Sequence, residues 1–262
     1  MSDLVSIIMP NYNSARFIEE SIKSVINQTY KNWELIICDD NSTDNSKDIA
    51  KSYESSDQRI KVIQNKFKKG APGARNTCIE YSSGKYIAFL DSDDIWYPNK
   101  LNLQISFMKD NNYHFVYSYH DLINESGSNL GFYKAPNKAN SSNMKFSNFI
   151  PCLTAIYDSN LIGKVFQPYV EKRNDFALWL KILNSGAVKN AYCLPIATAK
   201  YRSNTYGLSS NKLDSLRFFR LVLIKFGNTP PIKSYFYSLI YLFIILLKKK
   251  FRFLYNLIVV KF

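Results

Sequence analysis

The sequence predicts an α/β domain on a mixed, mostly parallel central sheet flanked by helices, followed by an amphipathic helical tail. Three observations predict it. Over roughly the first hundred residues, short apolar runs alternate with stretches of helical period, the pattern of a parallel sheet. Two of those runs end abruptly in acids, Asp39-Asp40 and Asp91-Ser92-Asp93-Asp94. From Lys212 onward, basic side chains interrupt long apolar blocks.

Taken in order, Val5 to Met9 reads as a first strand, closed by Pro10. Ser14 is placed to cap a helix over residues 15–28, with Phe17, Ile18, Ile22, Val25 and Ile26 on one face. Trp33 to Cys38 is a second strand, and Thr43 caps a helix reaching about Tyr53. Arg59 to Gln64 is a third strand, followed by a Lys- and Gly-rich loop and a helix from Ala74 to Tyr81. Lys85 to Leu90 is a fourth strand that runs into the acidic cluster. His114 to Tyr119 looks like a further strand, while residues 124–148 are polar and read as a mobile loop or short hairpin. Phe176, Leu178, Trp179, Ile182 and Leu183 recur at helical spacing, and Asn174-Asp175 opens that helix. His114 and His120 read as structural.

At 262 residues the chain can hold one sizeable domain with a proper core. Cys38, Cys78, Cys152 and Cys193 show neither C-x-x-C nor zinc spacing, and Cys38 and Cys78 sit inside apolar-periodic segments, so reduced core thiols are expected. Met1-Ser2-Asp3 leads straight into a strand without a secretory leader pattern, which predicts a cytosolic body. Of the net charge of +13, +9 falls in residues 212–262, where Asp214 is the sole acid. Because these charges alternate with apolar blocks, the tail favours a membrane surface over nucleic acid. Ser234 to Leu247 is a run of 14 uncharged residues, short of the ~20 that cross a bilayer. With Leu213 to Phe226 it reads as interfacial helices meeting anionic lipid, the alternative being a tail folded back on the domain.

Crowded acids at a strand end repel one another unless something positive sits among them. The economical candidate is Mn2+ or Mg2+, held by one or two carboxylates and the phosphates of a substrate. An Asp-x-Asp alone is weak evidence, since Asp-rich turns and caps are common. Here both acidic groups end strands that point the same way, at one sheet edge where a nucleotide diphosphate and a metal have room. No G-x-G-x-x-G follows a strand, and no G-x-x-x-x-G-K-[ST] exists. The Gly-rich, Arg-containing turn of sugar nucleotidyltransferases is also missing after the first strand.

Six blocks in order carry a resemblance. They are Val5-Ser6-Ile7-Ile8-Met9-Pro10-Asn11-Tyr12-Asn13, Ser24-Val25-Ile26-Asn27-Gln28-Thr29-Tyr30, and Glu34-Leu35-Ile36-Ile37-Cys38-Asp39-Asp40-Asn41-Ser42-Thr43-Asp44. Gly73-Ala74-Arg75-Asn76, Tyr86-Ile87-Ala88-Phe89-Leu90-Asp91-Ser92-Asp93-Asp94 and Asn174-Asp175-Phe176-Ala177-Leu178-Trp179-Leu180 complete them. The chain resembles glycosyltransferase family 2, densely over residues 4–110 and more thinly over 174–210.

That resemblance implies a GT-A (Rossmann-like) fold, a nucleotide-sugar donor, a divalent metal and inversion at the anomeric carbon. It divides the chain into a nucleotide-sugar-binding half (residues 1–110) and an acceptor-binding half of the same domain (111–210). The basic, apolar membrane-associating tail (211–262) follows. Pro10, Tyr12 and Asp40 would line a uracil site with Asp39 nearby, Tyr12 stacking on the base and Asp40 accepting its imino N–H. Arg75 would meet a phosphate or the uracil edge. Asp93 would ligate the metal, and Asp91 would reach the metal or the donor ribose or sugar, with Ser92 in the same donor site. Asp94 has two readings, a contact to the donor sugar or a cap for the helix after Pro98.

Asp175 matches the family's catalytic base, with a helix cap as its other reading; the Glu-Asp common there is Asn174-Asp175 here. Tyr201-Arg202-Ser203-Asn204, with Ser209-Ser210 beyond, matches a segment near the donor phosphates. Arg202 carries that role, because the family's frequent His is replaced by Asn204. The expected function is metal-dependent, inverting transfer of a hexose, glucose or galactose, from a UDP-sugar to a polyprenyl-pyrophosphate-linked sugar. Such a reaction serves O-antigen or capsule assembly, on the cytoplasmic face of the inner (plasma) membrane. Another donor or a non-lipid glycan acceptor is the competing enzyme reading, and an inactive membrane-associated sugar-binding protein is the competing class.

Overall fold

The computed structural model describes residues 2–203, 212–251, 253–255 and 259–260. Its first half is a parallel sheet in which β1 (Val5–Asn11) lies between β2 (Trp33–Asp39) and β4 (Tyr86–Phe89), with β3 (Ile60–Gln64) outside β2. Both faces of β1 and β2 are buried, which explains their continuous apolar runs. Val5, Ile7, Met9, Leu35 and Ile37 pack with α1 (Ile18–Ile26), α2 (Ser46–Ser56) and α4 (Lys100–Asn111). On the opposite face Ile8, Ile36 and Cys38 pack with α3 (Ala71–Tyr81).

Beyond β4 the sheet continues without a break through β9 (Ile156–Asp158), β6 (Phe115–Ile123), β10 (Ala191–Arg202) and β5 (Ile95–Trp96). β9 runs antiparallel to both neighbours, β6 and β10 are parallel, and β5 is antiparallel to β10. The sheet is therefore mixed, and one layer carries both halves of the chain.

Several boundaries differ from expectation for identifiable reasons. β1 runs through Pro10 to Asn11. Asn11 O accepts from Asp40 N, and Ile8 O accepts from Leu90 N. Pro10 therefore turns towards the β4 side past the last β1–β4 pair, Ile8–Phe89, where its missing N–H costs nothing. Ser14 does not cap α1: its hydroxyl donates to Asn11 Oδ1, and the helix begins at Ile18 after a turn. Nor does Thr43 cap α2, which starts at Ser46 behind Asn45.

The polar stretch forms a hairpin, with β7 (Asn129–Tyr133) antiparallel to β6, then β8 (Lys138–Ala139) on β10 and a short 3-10 turn. β10 itself escaped the sequence pattern. It contains Pro195, and its register against β6 shifts between Leu194 and Ala197 and again before Lys200, which erases the alternation that marks a strand.

α6 (Asn174–Leu183) meets the tail directly, where α7 (Lys212–Phe226) and α8 (Pro231–Lys250) pack against it. Phe176 stacks on Phe219 with centroids 5.5 Å apart, and Phe219 stacks on Tyr241 at 4.3 Å. Arg173, the N-cap of α6, donates to Ser215 O (3.0 Å), Ser215 Oγ (2.6 Å) and Tyr241 Oη. One face of the tail is thus folded onto the domain. Among the described residues no helix is long and apolar enough to cross a membrane.

Candidate active site

Because β2 and β4 both run parallel to β1, their carboxyl ends open on one edge. Asp39 and Asp40 lie at one end of that edge, the Asp91–Asp94 turn at the other. Asp39 is buried and builds the scaffold, its carboxylate accepting from Asn11 Nδ2 (2.9 Å) and Ser42 N (3.2 Å). Asp40, also buried, accepts from Asn65 Nδ2 (2.6 Å) and Gly70 N (2.7 Å). It thereby pins the Lys- and Gly-rich loop beneath Tyr12. The Tyr12 ring is half exposed, with the Lys69 ammonium 4.8 Å from its centroid. Pro10, half-buried, stands opposite Cys38 one residue earlier.

Gly73 makes this approach possible. A Cβ there would fall 1.9 Å from Lys68 O, so only glycine lets α3 run this close to the loop.

In the acidic turn Asp94 N donates to Asp91 O at 3.1 Å. Asp94 is buried, and desolvation, reinforced by Asp93 and Asp91, pushes its carboxyl well above the usual carboxylate range. Its Oδ1 accepts from Arg202 N at 2.8 Å. The cap reading for Asp94 fails, because α4 opens behind Asn99 with no side-chain cap. Ser92 is buried between half-buried Asp91 and Asp93.

Arg202 differs from expectation. Its buried guanidinium donates to Asp93 O (2.8 Å), Asn124 O (3.2 Å), Glu125 O (3.1 Å) and Glu20 (2.5 Å). With its donors so engaged, it clamps the acidic turn to α1 and the β6–β7 hairpin instead of facing a diphosphate. Asn204, Ser209 and Ser210 lie outside the described residues.

Arg75 is the hub. It is buried on α3, and its Nη2 donates to Asp91 Oδ1 at 2.5 Å. Its Nη1 donates to Asn174 Oδ1 (3.2 Å) and Gln167 Oε1 (3.4 Å). Burial opposes its charge, yet the surrounding groups, Asp91 foremost and Asp175 among them, outweigh that and hold the guanidinium proton more tightly than usual. Arg75 thus ties the acidic turn to the first residue of α6, next to Asp175.

Asp175 lies in the first turn of α6, and Arg173 occupies the cap position. Desolvation raises its carboxyl above the usual range; the Phe176 N–H, Arg75, Arg173 and Asn148 pull the other way. Asn148 Nδ2 donates to Asp175 Oδ2 at 2.8 Å.

Three further residues join the site without a sequence signal. Asn148 comes from the polar stretch, and Gln167 from the segment before α6. The Cys152 thiol, held neutral by burial, feels the charges of Arg75, Asp91 and Asp175. No periodicity marks any of them; the fold alone brings them in. Among the described residues no three acidic, His or Cys side chains converge as a self-sufficient metal site. The donor set suits a hard cation that takes one or two carboxylates here and completes its shell with substrate oxygens.

A mixed sheet of this order, with paired carboxylates at the carboxyl edge of its parallel strands, defines a transferase of the GT-A fold. The family described as "Glycosyl transferase family 2" matches residues 6–161, and the chain belongs to it. It is 45% identical over 233 residues to the UDP-Glc:alpha-D-GlcNAc-diphosphoundecaprenol beta-1,3-glucosyltransferase WfgD of Escherichia coli, covering 89% of this chain and 90% of that protein. Staphylococcus aureus TarS 1–349 in complex with UDP-GlcNAc superposes with a TM-score of 0.70 at 18% identity, over 98% of this chain and 76% of that one. The mannosyltransferase PcManGT of Pyrobaculum calidifontis, in complex with GDP-Man and Mn2+, gives 0.68 at 17% identity, over 92% and 70%. At those identities the two structures speak for the fold alone.

Proposed function

We propose that this enzyme transfers glucose, with inversion, from UDP-glucose to the GlcNAc of an undecaprenyl-diphosphate-linked acceptor, forming a β-1,3 bond. The observation that carries the reading is the Arg75 bridge from Asp91 to Asn174. It makes the donor edge and the Asp175 helix one rigid unit. The extent and identity of the match to the WfgD glucosyltransferase supply the sugars.

In this reading the uracil rests against Tyr12, and its imino N–H donates to Asp40, whose position the Asn65 and Gly70 bonds fix. Asp91 and Ser92 face the donor ribose and sugar. Arg75 and Arg202 are positioning residues, the first aligning Asp91 with α6, the second holding the Asp93–Asp94 turn. Asp93, with Asp91 alongside, would hold Mn2+ or Mg2+, which supplies Lewis-acid neutralisation of the departing diphosphate.

Asp175 takes the proton of the acceptor hydroxyl as that oxygen attacks the anomeric carbon from the side opposite UDP. The new C–O bond forms as the bond to the UDP oxygen breaks, so an α-linked donor gives a β-linked product. Burial makes Asp175 more basic than a solvated carboxylate, which suits that role. In this reading the reaction takes place at the cytoplasmic face of the inner membrane, where a nucleotide-sugar donor meets a lipid-linked acceptor.

The test is a panel of nucleotide sugars offered with a short-chain GlcNAc-diphospho-lipid and Mn2+. UDP-glucose should give the fastest turnover and a β-1,3-linked disaccharide by NMR. An α-linked product, or preference for another donor, would overturn the corresponding part of the proposal.

A further inference from the structure

The tail helix α8 is apolar on two sides. Ser234, Ser238, Tyr241, Ile244 and Leu247 face inward and are buried. Ile232, Tyr235, Phe236, Leu239, Phe243 and Leu246 form a second stripe, each more than half exposed, at spacings of one to four residues along one helix side. A solvated surface helix carries charge there, yet residues 234–247 carry none. A contiguous exposed apolar stripe of this size marks an interaction surface.

We propose that this outer stripe is a docking surface that lies in the interface of an anionic phospholipid bilayer, parallel to the membrane plane. The charges argue for lipid. Lys233 precedes the stripe, Lys248-Lys249-Lys250 end it, and no acid occurs anywhere in residues 215–262. Arg217, Lys225, Lys233 and Lys250 are exposed, and Arg220 covers the Tyr235 ring at 3.4 Å. Apolar side chains along one face with bases at both ends match the headgroup–acyl boundary of a negatively charged leaflet. A second copy of the chain would bring like charges together.

The inner face adds a consequence. Through Tyr241, Phe219 and Arg173, the docked helix is held against the start of α6, beside Asp175. The surface thus fixes the height of Asp175 above the lipid. That consequence rests on the proposed base; the docking itself does not.

Flotation of the full chain with unilamellar vesicles tests the surface. The protein should float with equimolar phosphatidylcholine and phosphatidylglycerol, and far less with phosphatidylcholine alone or in high salt. Combining Phe236→Ser, Leu239→Ser and Phe243→Ser should weaken vesicle binding at least about tenfold, with unchanged melting and unchanged transfer to a short-chain acceptor in solution. Leu239→Trp gives a second readout. Trp33, Trp96 and Trp179 are buried and out of reach of the bilayer, so lipids brominated in the acyl chain should quench only the emission of the added indole.

Wild-type flotation by the triple variant, or an unquenched Leu239→Trp indole, would overturn the surface. A concentration-dependent dimer that the triple variant abolishes, without vesicle binding, would reassign the face to a second copy and equally overturn it. Flotation without any glycosyl transfer would support the surface and count only against the proposed reaction.

Discussion

Arg75 and Asp91, on α3 and just beyond β4, form a 2.5 Å ion pair in which the arginine is only 6% exposed. The same guanidinium reaches Asn174. A planar fork can serve both partners at once, whereas a lysine ammonium on a flexible stem cannot hold that geometry. Arg75→Lys should therefore lower both the melting temperature and kcat, the latter by roughly tenfold to a hundredfold, as expected for loss of alignment at a reacting centre. Thermal melting together with steady-state turnover checks this; wild-type values for both would remove Arg75 from the positioning scheme.

Gly73→Ala probes the base pocket from outside it. The added Cβ meets a backbone carbonyl at 1.9 Å, so the 66–70 loop must move and carry Gly70 N away from Asp40. UDP affinity by calorimetry should fall about tenfold or more, equivalent to loss of roughly one hydrogen bond to a charged group. Unchanged UDP binding would separate this loop from the nucleotide site.

The pH dependence follows from Asp175. Burial raises its carboxyl, and the base works deprotonated, so activity is lost as pH falls through that raised value. The acidic limb of kcat should lie above the ~3.9 of a free Asp. Asn148 donates to the charged form. Asn148→Ala should move the limb further towards neutral pH while leaving the alkaline plateau within a few-fold of wild type. A limb that stays in place in the variant would show that another group titrates.

How much of this was legible beforehand depended on whether a residue's neighbours lie near it in sequence. β1, β2 and β4 were visible because strands buried on both faces read as apolar runs, and their shared direction placed Asp40 and Asp91 on one edge in advance. β10 was not, since Pro195 and two register shifts remove its alternation. Asp175 was visible through the family resemblance, but its partner Asn148 lies 27 residues away in a stretch without period. Arg202 was expected near the donor phosphates, and only the folded chain shows backbone carbonyls and Glu20 meeting its guanidinium. Of the tail's two alternatives, folding back on the domain describes the inner face of α8, and the membrane-meeting one is what is proposed for its outer face.

The most direct measurement is transfer by Asp175→Asn against UDP-sugar binding by the same protein. The isosteric amide can still accept from Asn148, so the fold and the donor site should stay intact. The account predicts kcat lower by on the order of 10²- to 10⁴-fold, with metal-dependent UDP-sugar affinity within about twofold of wild type. A variant that still turns over near the wild-type rate would contradict the assignment of Asp175 as the group that activates the acceptor.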